Sequence, residues 1–208
     1  MLLKENDVVL FQGDSITDCG RNYNDAYSLG DGYAQRVAGE LGMHYPNMNL
    51  KFFNRGISGN RAIDLVNRWQ TDCIELKPTV LCIYIGINDV WRRYDSGSIT
   101  TAEEFEKNYR VILDEAKAKL NCKIIIFEPF VLPVSDIQRK WREDLDPKIE
   151  ICRRLACEYN ALLLPLDGIF ASAFAKKGGT YWTGDGVHPS NFGHALISKK
   201  LIELLNDN

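Results

Sequence analysis

Short apolar runs alternate with longer amphipathic stretches along this chain. Val8-Val9-Leu10-Phe11 opens the series as a buried strand. After an irregular region to about Leu29, Tyr33, Val37 and Leu41 recur at helical spacing and predict a helix over 32–41. A second strand is expected over 50–54, and a helix from 61 to about 76 with Ile63, Val66 and Ile74 on one side. The near-continuous apolar run 80–85 suits a strand covered on both faces. A polar segment, 91–100, then precedes a long helix that Thr101 would cap, with Glu103 and Glu104 in its positive first turn. The fourth strand falls over 123–127. The loop that follows, 128–140, holds Pro129 and Pro133 and is long enough to form a wall or lid over a cleft. A helix around 146–159, a fifth strand over 161–166, a short helix near 168–176, a Gly-rich loop and a last helix over 190–205 complete the pattern.

Five strands alternating with helices imply an α/β fold, a five-stranded parallel sheet with helices on both faces and right-handed crossovers. No repeat or linker divides residues 1–208, so a single domain is expected. The three richest polar motifs, at Ser15, Gly59 and Asn88, each follow a predicted strand. One cleft at the carboxyl edge of the sheet could therefore hold them all.

Composition narrows the partners. With 45% hydrophobic and 25% charged residues in 208, the chain is an ordinary globular one. Its formal net charge is −3, and its longest basic runs are pairs such as Arg92-Arg93, so no broad footprint for nucleic acid is expected. The start, Met1 to Asp7, lacks the pattern of a signal peptide, and no apolar run has membrane-spanning length, so a cytoplasmic protein without a membrane partner is expected. Six cysteines are scattered with no C-x-x-C pair or metal-ligand spacing. They read as reduced structural thiols, and neither a metal nor another cofactor is implied.

Candidate chemistry lies at the two ends of the chain. Gly13-Asp14-Ser15 ends the first strand and offers a hydroxyl to the cleft, although Gly-Asp-Ser is also a common turn composition. Far downstream, Asp185 and His188 stand three apart in a Gly-containing loop. A carboxylate at one ring nitrogen fixes the tautomer, while the other nitrogen takes a proton from a serine. The chain has three histidines. His44 ends a predicted helix, where the dipole explains it, and His194 lies within the last helix and suits packing. A serine attacking a carbonyl also needs donors for the oxyanion: the backbone N–H groups of Ser15 and Gly59 and the side-chain amide of Asn88 are candidates. As turn and cap residues, Gly59 and Asn88-Asp89 would also be unremarked.

Gly13-Asp14-Ser15, Gly59 in 54–59, Asn88 in Gly86-Ile87-Asn88-Asp89, and Asp185-x-x-His188 together resemble the four blocks of the SGNH (GDSL-type) hydrolases, in order and across nearly the whole chain. The first block has Ile16 where the family's name has Leu. The resemblance implies a flavodoxin-like three-layer αβα sandwich and metal-free ester hydrolysis. Ser15 would be the nucleophile, His188 the base and Asp185 its orienter, with Ser15, Gly59 and Asn88 as the oxyanion hole. The stretches 11–21, 88–91 and 181–189 further resemble the acetylxylan esterase branch, whose members deacetylate xylo-oligosaccharides and can form large homo-oligomers. An acetylated oligosaccharide is the substrate this implies.

Trp91, Tyr181 and Trp182 would suit a small acyl pocket with a sugar platform, and equally core packing. Arg55 and Arg61 flank the oxyanion turn and are candidate substrate contacts or solvated surface. Two other functions compete. A lysophospholipid or thioester hydrolase would use an apolar channel, for which Phe130, Val131 and Leu132 are candidates. A non-catalytic flavodoxin-like module would hold phosphate over 13–17 at a helix N-terminus.

Overall fold

The computed structural model describes residues 2–207. Its strands are β1 (Val8–Gly13), β2 (Lys51–Gly56), β3 (Val80–Tyr84), β4 (Lys123–Phe127) and β5 (Leu162–Leu164). They form one parallel sheet in the order β2-β1-β3-β4-β5. The helices are α1 (Ser15–Asp18), α2 (Tyr33–His44), α3 (Ala62–Asp72), α4 (Ile87–Asp95), α5 (Ala102–Lys119), α6 (Asp136–Lys140), α7 (Arg142–Glu158), α8 (Leu166–Lys176), α9 (Gly179–Trp182) and α10 (Asn191–Asp207).

Strand side chains alternate between two buried faces, which is why the strands read as continuous apolar runs. Val9, Phe11, Val80, Cys82, Ile125 and Phe127 pack with Tyr33 and Val37 of α2 and with Ile197 and Leu201 of α10. Leu10, Leu81, Ile83, Ile124 and Ile126 face the opposite way, onto Leu65 and Trp69 of α3, Tyr109 and Ile112 of α5, and Leu155 of α7. The expected three-layer αβα arrangement is therefore present. Beyond β1 the chain first pairs one side of that strand with β2 and then the other with β3. That reversal makes the carboxyl ends of β1 and β3 the switch point where α/β sheets open a crevice.

Several boundaries differ from the sequence reading. The segment read as a polar stretch, 91–100, is helical through Asp95, because Ile87, Val90, Trp91 and Tyr94 form an apolar stripe against the core while Arg92 and Arg93 suit the negative last turn. α7 begins at Arg142 and carries Pro147 inside it, so that proline does not mark the start. β5 is shorter than expected, since Leu166 already begins α8. The loop 128–140 contains α6, and the Gly-rich loop contains α9. At α5 the expected cap is complete: Thr101 Oγ1 accepts the Glu104 N–H at 3.2 Å while Glu104 Oε2 accepts the Thr101 N–H at 2.9 Å.

Candidate active site

Ser15 is the first residue of α1, immediately beyond β1. Asp14 caps that turn by accepting the Ile16 N–H at 3.0 Å, so the backbone leaves the strand sharply and carries the serine out of the sheet. The same cap bears on the phosphate-cradle reading. α1 has four residues, and its N-terminal N–H is already taken by its own buried Asp14 carboxyl. Burial pushes that Asp14 carboxyl up to about 7, against the bond from Ile16 and the nearby His188.

The Ser15 hydroxyl lies 2.8 Å from His188 Nε2, and His188 Nδ1 lies 2.6 Å from Asp185 Oδ2. Asp185 Oδ1 accepts the N–H groups of Val187 at 2.9 Å and His188 at 2.8 Å. Partial burial works to raise the Asp185 carboxyl, but the His188 ring and the two backbone donors outweigh it and hold it below the ordinary carboxylate range. The loop that carries both residues is closed by a bridge between Thr183 and Pro189. The 128–140 segment braces it from outside. Leu132 N–H donates to the Gly186 carbonyl at 2.8 Å, and the buried Gln138 donates to the Asp185 carbonyl at 2.6 Å while accepting from Val134 N–H at 2.9 Å. The segment is thus a wall of the site.

Gly59 has φ of +82°, in the left-handed region that glycine enters without a side-chain clash. The turn around it is held to α1 by the buried Asp18, whose Oδ2 accepts Ser58 Oγ at 2.7 Å and Ser58 N–H at 3.2 Å. β2 runs close enough to α1 that a Cβ at Gly56 would stand 2.2 Å from the Asp18 nitrogen. Asn88, 3% exposed in the first turn of α4, donates to the Asn60 carbonyl at 3.1 Å, leaving its second Nδ2 hydrogen for another acceptor. A hydroxyl on an imidazole whose far nitrogen meets a carboxylate is an arrangement that can carry out acyl transfer.

The other candidates separate. The Trp91 ring lies against His188, with centroids 5.7 Å apart, and is backed by Trp141 at 5.4 Å. Tyr181 stacks on Phe192 at 4.4 Å. Trp182 donates to the carbonyls of Ala173 and Lys177, both at 3.0 Å, and lines a cavity of about 450 Å³ between α8 and α10 with Ile169 and Leu196. Arg55 donates to the Ala26 and Asn54 carbonyls at 3.1 and 2.9 Å, bracing the 19–32 segment. Arg61 precedes α3 and pairs with Asp64 at 3.4 Å. His194 is a packing residue: 5% exposed, it accepts the Tyr33 N–H at 3.1 Å. Asp14, Asp18, Asp89 and Gln138 were not singled out as site residues from the sequence. The first three lie within the same motifs as Ser15 and Asn88, a signal that was available; Gln138 carries none. Among the described residues no group of three or more His, Cys, Asp or Glu side chains could hold a metal ion, and no helix is long and apolar enough to cross a membrane.

Residues 11–196 match the model of the GDSL-like lipase/acylhydrolase family. An acetylxylan esterase of Geobacillus stearothermophilus is 34% identical, over 97% of this chain and 95% of its own. The crystal structure of Axe2, an acetylxylan esterase from the same organism, superposes with a TM-score of 0.92 at 33% identity, covering 99% of this chain and 96% of that one. Structures described as catalytic mutants of that enzyme replace a serine, an aspartate and a histidine by alanine. A candidate GDSL-like lipase from Parabacteroides merdae superposes with a TM-score of 0.94 at 36% identity, covering 99% of this chain and 98% of that one. With a family model spanning most of its length and a close fold match, the chain belongs to the GDSL-like lipase/acylhydrolase family and is a carboxylic ester hydrolase.

Proposed function

We propose that this protein removes acetyl groups from carbohydrates, acetylated xylo-oligosaccharides among them, through a Ser15-His188-Asp185 triad acting as one catalytic domain. The observation that carries the reading is the unbroken chain of hydrogen bonds from the Ser15 hydroxyl to His188 Nε2 at 2.8 Å and from His188 Nδ1 to Asp185 at 2.6 Å. Ser15 Oγ attacks the acetyl carbonyl as His188 takes its proton. The oxyanion is met by the N–H groups of Ser15 and Gly59 and by the Asn88 amide. The protonated imidazole, stabilised by Asp185, returns the proton to the departing sugar hydroxyl and leaves an acetyl-serine. Water, activated by the same histidine, then releases acetate and restores the serine.

Trp91 is the aromatic that meets this substrate, because its ring borders His188. The contacts of Arg55, Arg61, Tyr181 and Trp182 lie within the fold and give these residues a bracing part. A long-chain lipid substrate is less well supported. Phe130, Val131 and Leu132 are 1%, 3% and 4% exposed, and Phe130 stacks on Phe170 in the core; the cavity of about 310 Å³ that Val131 and Leu132 border is also lined by Arg139, Arg142 and Asp167, a charged lining that does not suit an acyl chain. The acetylxylan esterase relative supports the carbohydrate assignment.

Rates on aryl esters of increasing acyl length, followed by acetate release from acetylated xylo-oligosaccharides, test the proposal. Activity concentrated on acetyl esters and acetate release from the oligosaccharides are expected. A preference for long acyl chains would overturn it.

A further inference from the structure

Asn88 and Asp89 are consecutive residues in the first turn of α4, and they grip one short segment from opposite chemical sides. The Asn88 amide donates to the Asn60 carbonyl at 3.1 Å, while Asp89 Oδ2 accepts the Ala62 N–H at 3.0 Å. Residues 60–62 join the Gly59 turn to α3. The Asn60 bond alone ties α4 to this segment at one point. Two bonds of opposite polarity, two residues apart, fix both its distance and its orientation. We infer that Asp89 is a positioning residue for ester hydrolysis that sets the Gly59 N–H and the Asn88 amide at the separation an oxyanion requires.

Burial marks Asp89 as more than a cap. Asp89 is 0% exposed, and its Oδ1 is a buried oxygen without a hydrogen-bond partner. A neutral Asn or Ser would accept the same N–H without burying a carboxyl. Lys148 of α7 is also 0% exposed; its Nζ donates to Asp144 Oδ1 at 2.9 Å and to the Asp144 carbonyl at 3.3 Å, and its charge acts on Asp89. The groups facing Asp89 are Lys148 and Cys152 of α7, Arg61 and Asp64 at the head of α3, and Tyr109 of α5. Burial pushes the Asp89 carboxyl up to about 7, against the pull of the Ala62 N–H, Lys148 and Arg61.

Asp18 holds the same turn to α1 through Ser58, and Arg68 holds it to β1 by donating to the Asn60 side chain at 2.8 Å and the Gly13 carbonyl at 3.1 Å. Asp89 ties it to the helix that carries Asn88. Its removal therefore bears directly on where the two donors stand relative to each other.

The inference rests on Gly59 and Asn88 serving as oxyanion donors, and the experiment separates the two ideas. Burst and steady-state kinetics on p-nitrophenyl acetate, with kcat expressed per titrated active site, are compared for wild type, Asp89→Ala, Asp89→Asn, Lys148→Met and Asn88→Ala. Asp89→Ala is expected to lower kcat about 10- to 100-fold with little change in KM, because small misplacements of catalytic groups act on the transition state. Asp89→Asn, which keeps an acceptor for Ala62 but carries no charge, should recover only part of that loss. Lys148→Met should move the acid limb of kcat to higher pH, since the cation favours ionised Asp89, and the shift should vanish when Asp89→Asn is added. If Asp89→Ala does not fold, that loss of the pH shift in the double variant decides the matter. A reduced burst with unchanged kcat per site would show a merely structural role and overturn the inference. Wild-type kcat in Asn88→Ala would instead overturn the oxyanion reading; loss in Asn88→Ala with none in Asp89→Ala would overturn the positioning role alone.

Discussion

The Asp185 carboxylate holds His188 by both of its oxygens: Oδ2 meets the ring at 2.6 Å, and Oδ1 takes the main-chain N–H of the same residue at 2.8 Å. One side chain thus fixes the ring's tautomer and the loop beneath it. Asp185→Asn separates these roles, since the amide oxygen still suits the backbone donors but its NH₂ cannot accept from Nδ1–H. A fall in kcat of roughly 10³- to 10⁴-fold on an aryl acetate, with the fold retained, is expected from steady-state rates and circular dichroism.

Gln138 connects the wall of the site to that loop through bonds to Val134 N–H and the Asp185 carbonyl. Truncation to Ala removes both bonds, each worth about 0.5–1.5 kcal/mol net. Gln138→Ala should cost about 1–3 kcal/mol in urea unfolding and should lower kcat, because the base loses its outer support.

Trp91 stands between His188 and Trp141 at the mouth of the site. An aromatic contact of this kind contributes about 0.5–1.5 kcal/mol beyond its buried area, so Trp91→Ala should raise KM for acetylated xylo-oligosaccharides by roughly 2- to 12-fold. KM for a small aryl acetate should change less. Equal effects on both substrates would remove Trp91 from sugar recognition.

His194 makes stability pH-dependent. Burial lowers its pKa from 6.5 to about 4, with Arg36 and His188 adding to the effect. As pH falls below 6.5 the unfolded chain takes up a proton that the folded one refuses, so this contribution is present above 6.5 and is lost progressively toward 4. Asp14 and Asp89, raised from 3.8 to about 7, act in the opposite sense: the fold keeps protons the unfolded chain releases, which costs stability as pH rises through that range. Comparison with His194→Gln isolates the histidine. The stability advantage of wild type over the variant should shrink between pH 6.5 and 4 in urea titrations.

The layered sheet was legible in the sequence because both of its faces are covered, which makes β1, β3 and β4 uninterrupted apolar runs. The meeting of Ser15, Asp185 and His188 was legible because it is carried by particular side chains in short motifs. α4 was not, since its outward face carries Arg92, Arg93 and Asp95 and hides a stripe of only four apolar positions. Tyr181 and Trp182 adjoin the motif that carries Asp185 and His188, but the local turn of α9 sends their rings toward Phe192 and α8. Gln138 and Lys148 act through partners 47 and 4 residues away, and nothing local distinguishes them from surface polar residues.

The central claim is that Ser15 carries the acyl group. Acid-quenched turnover of an aryl acetate, followed by mass spectrometry of the peptide containing residue 15, addresses it most directly. One acetyl group on Ser15 in the wild type, with neither adduct nor turnover in Ser15→Ala, is the expected result. Wild-type turnover in Ser15→Ala, or an adduct that forms on another residue, would contradict it.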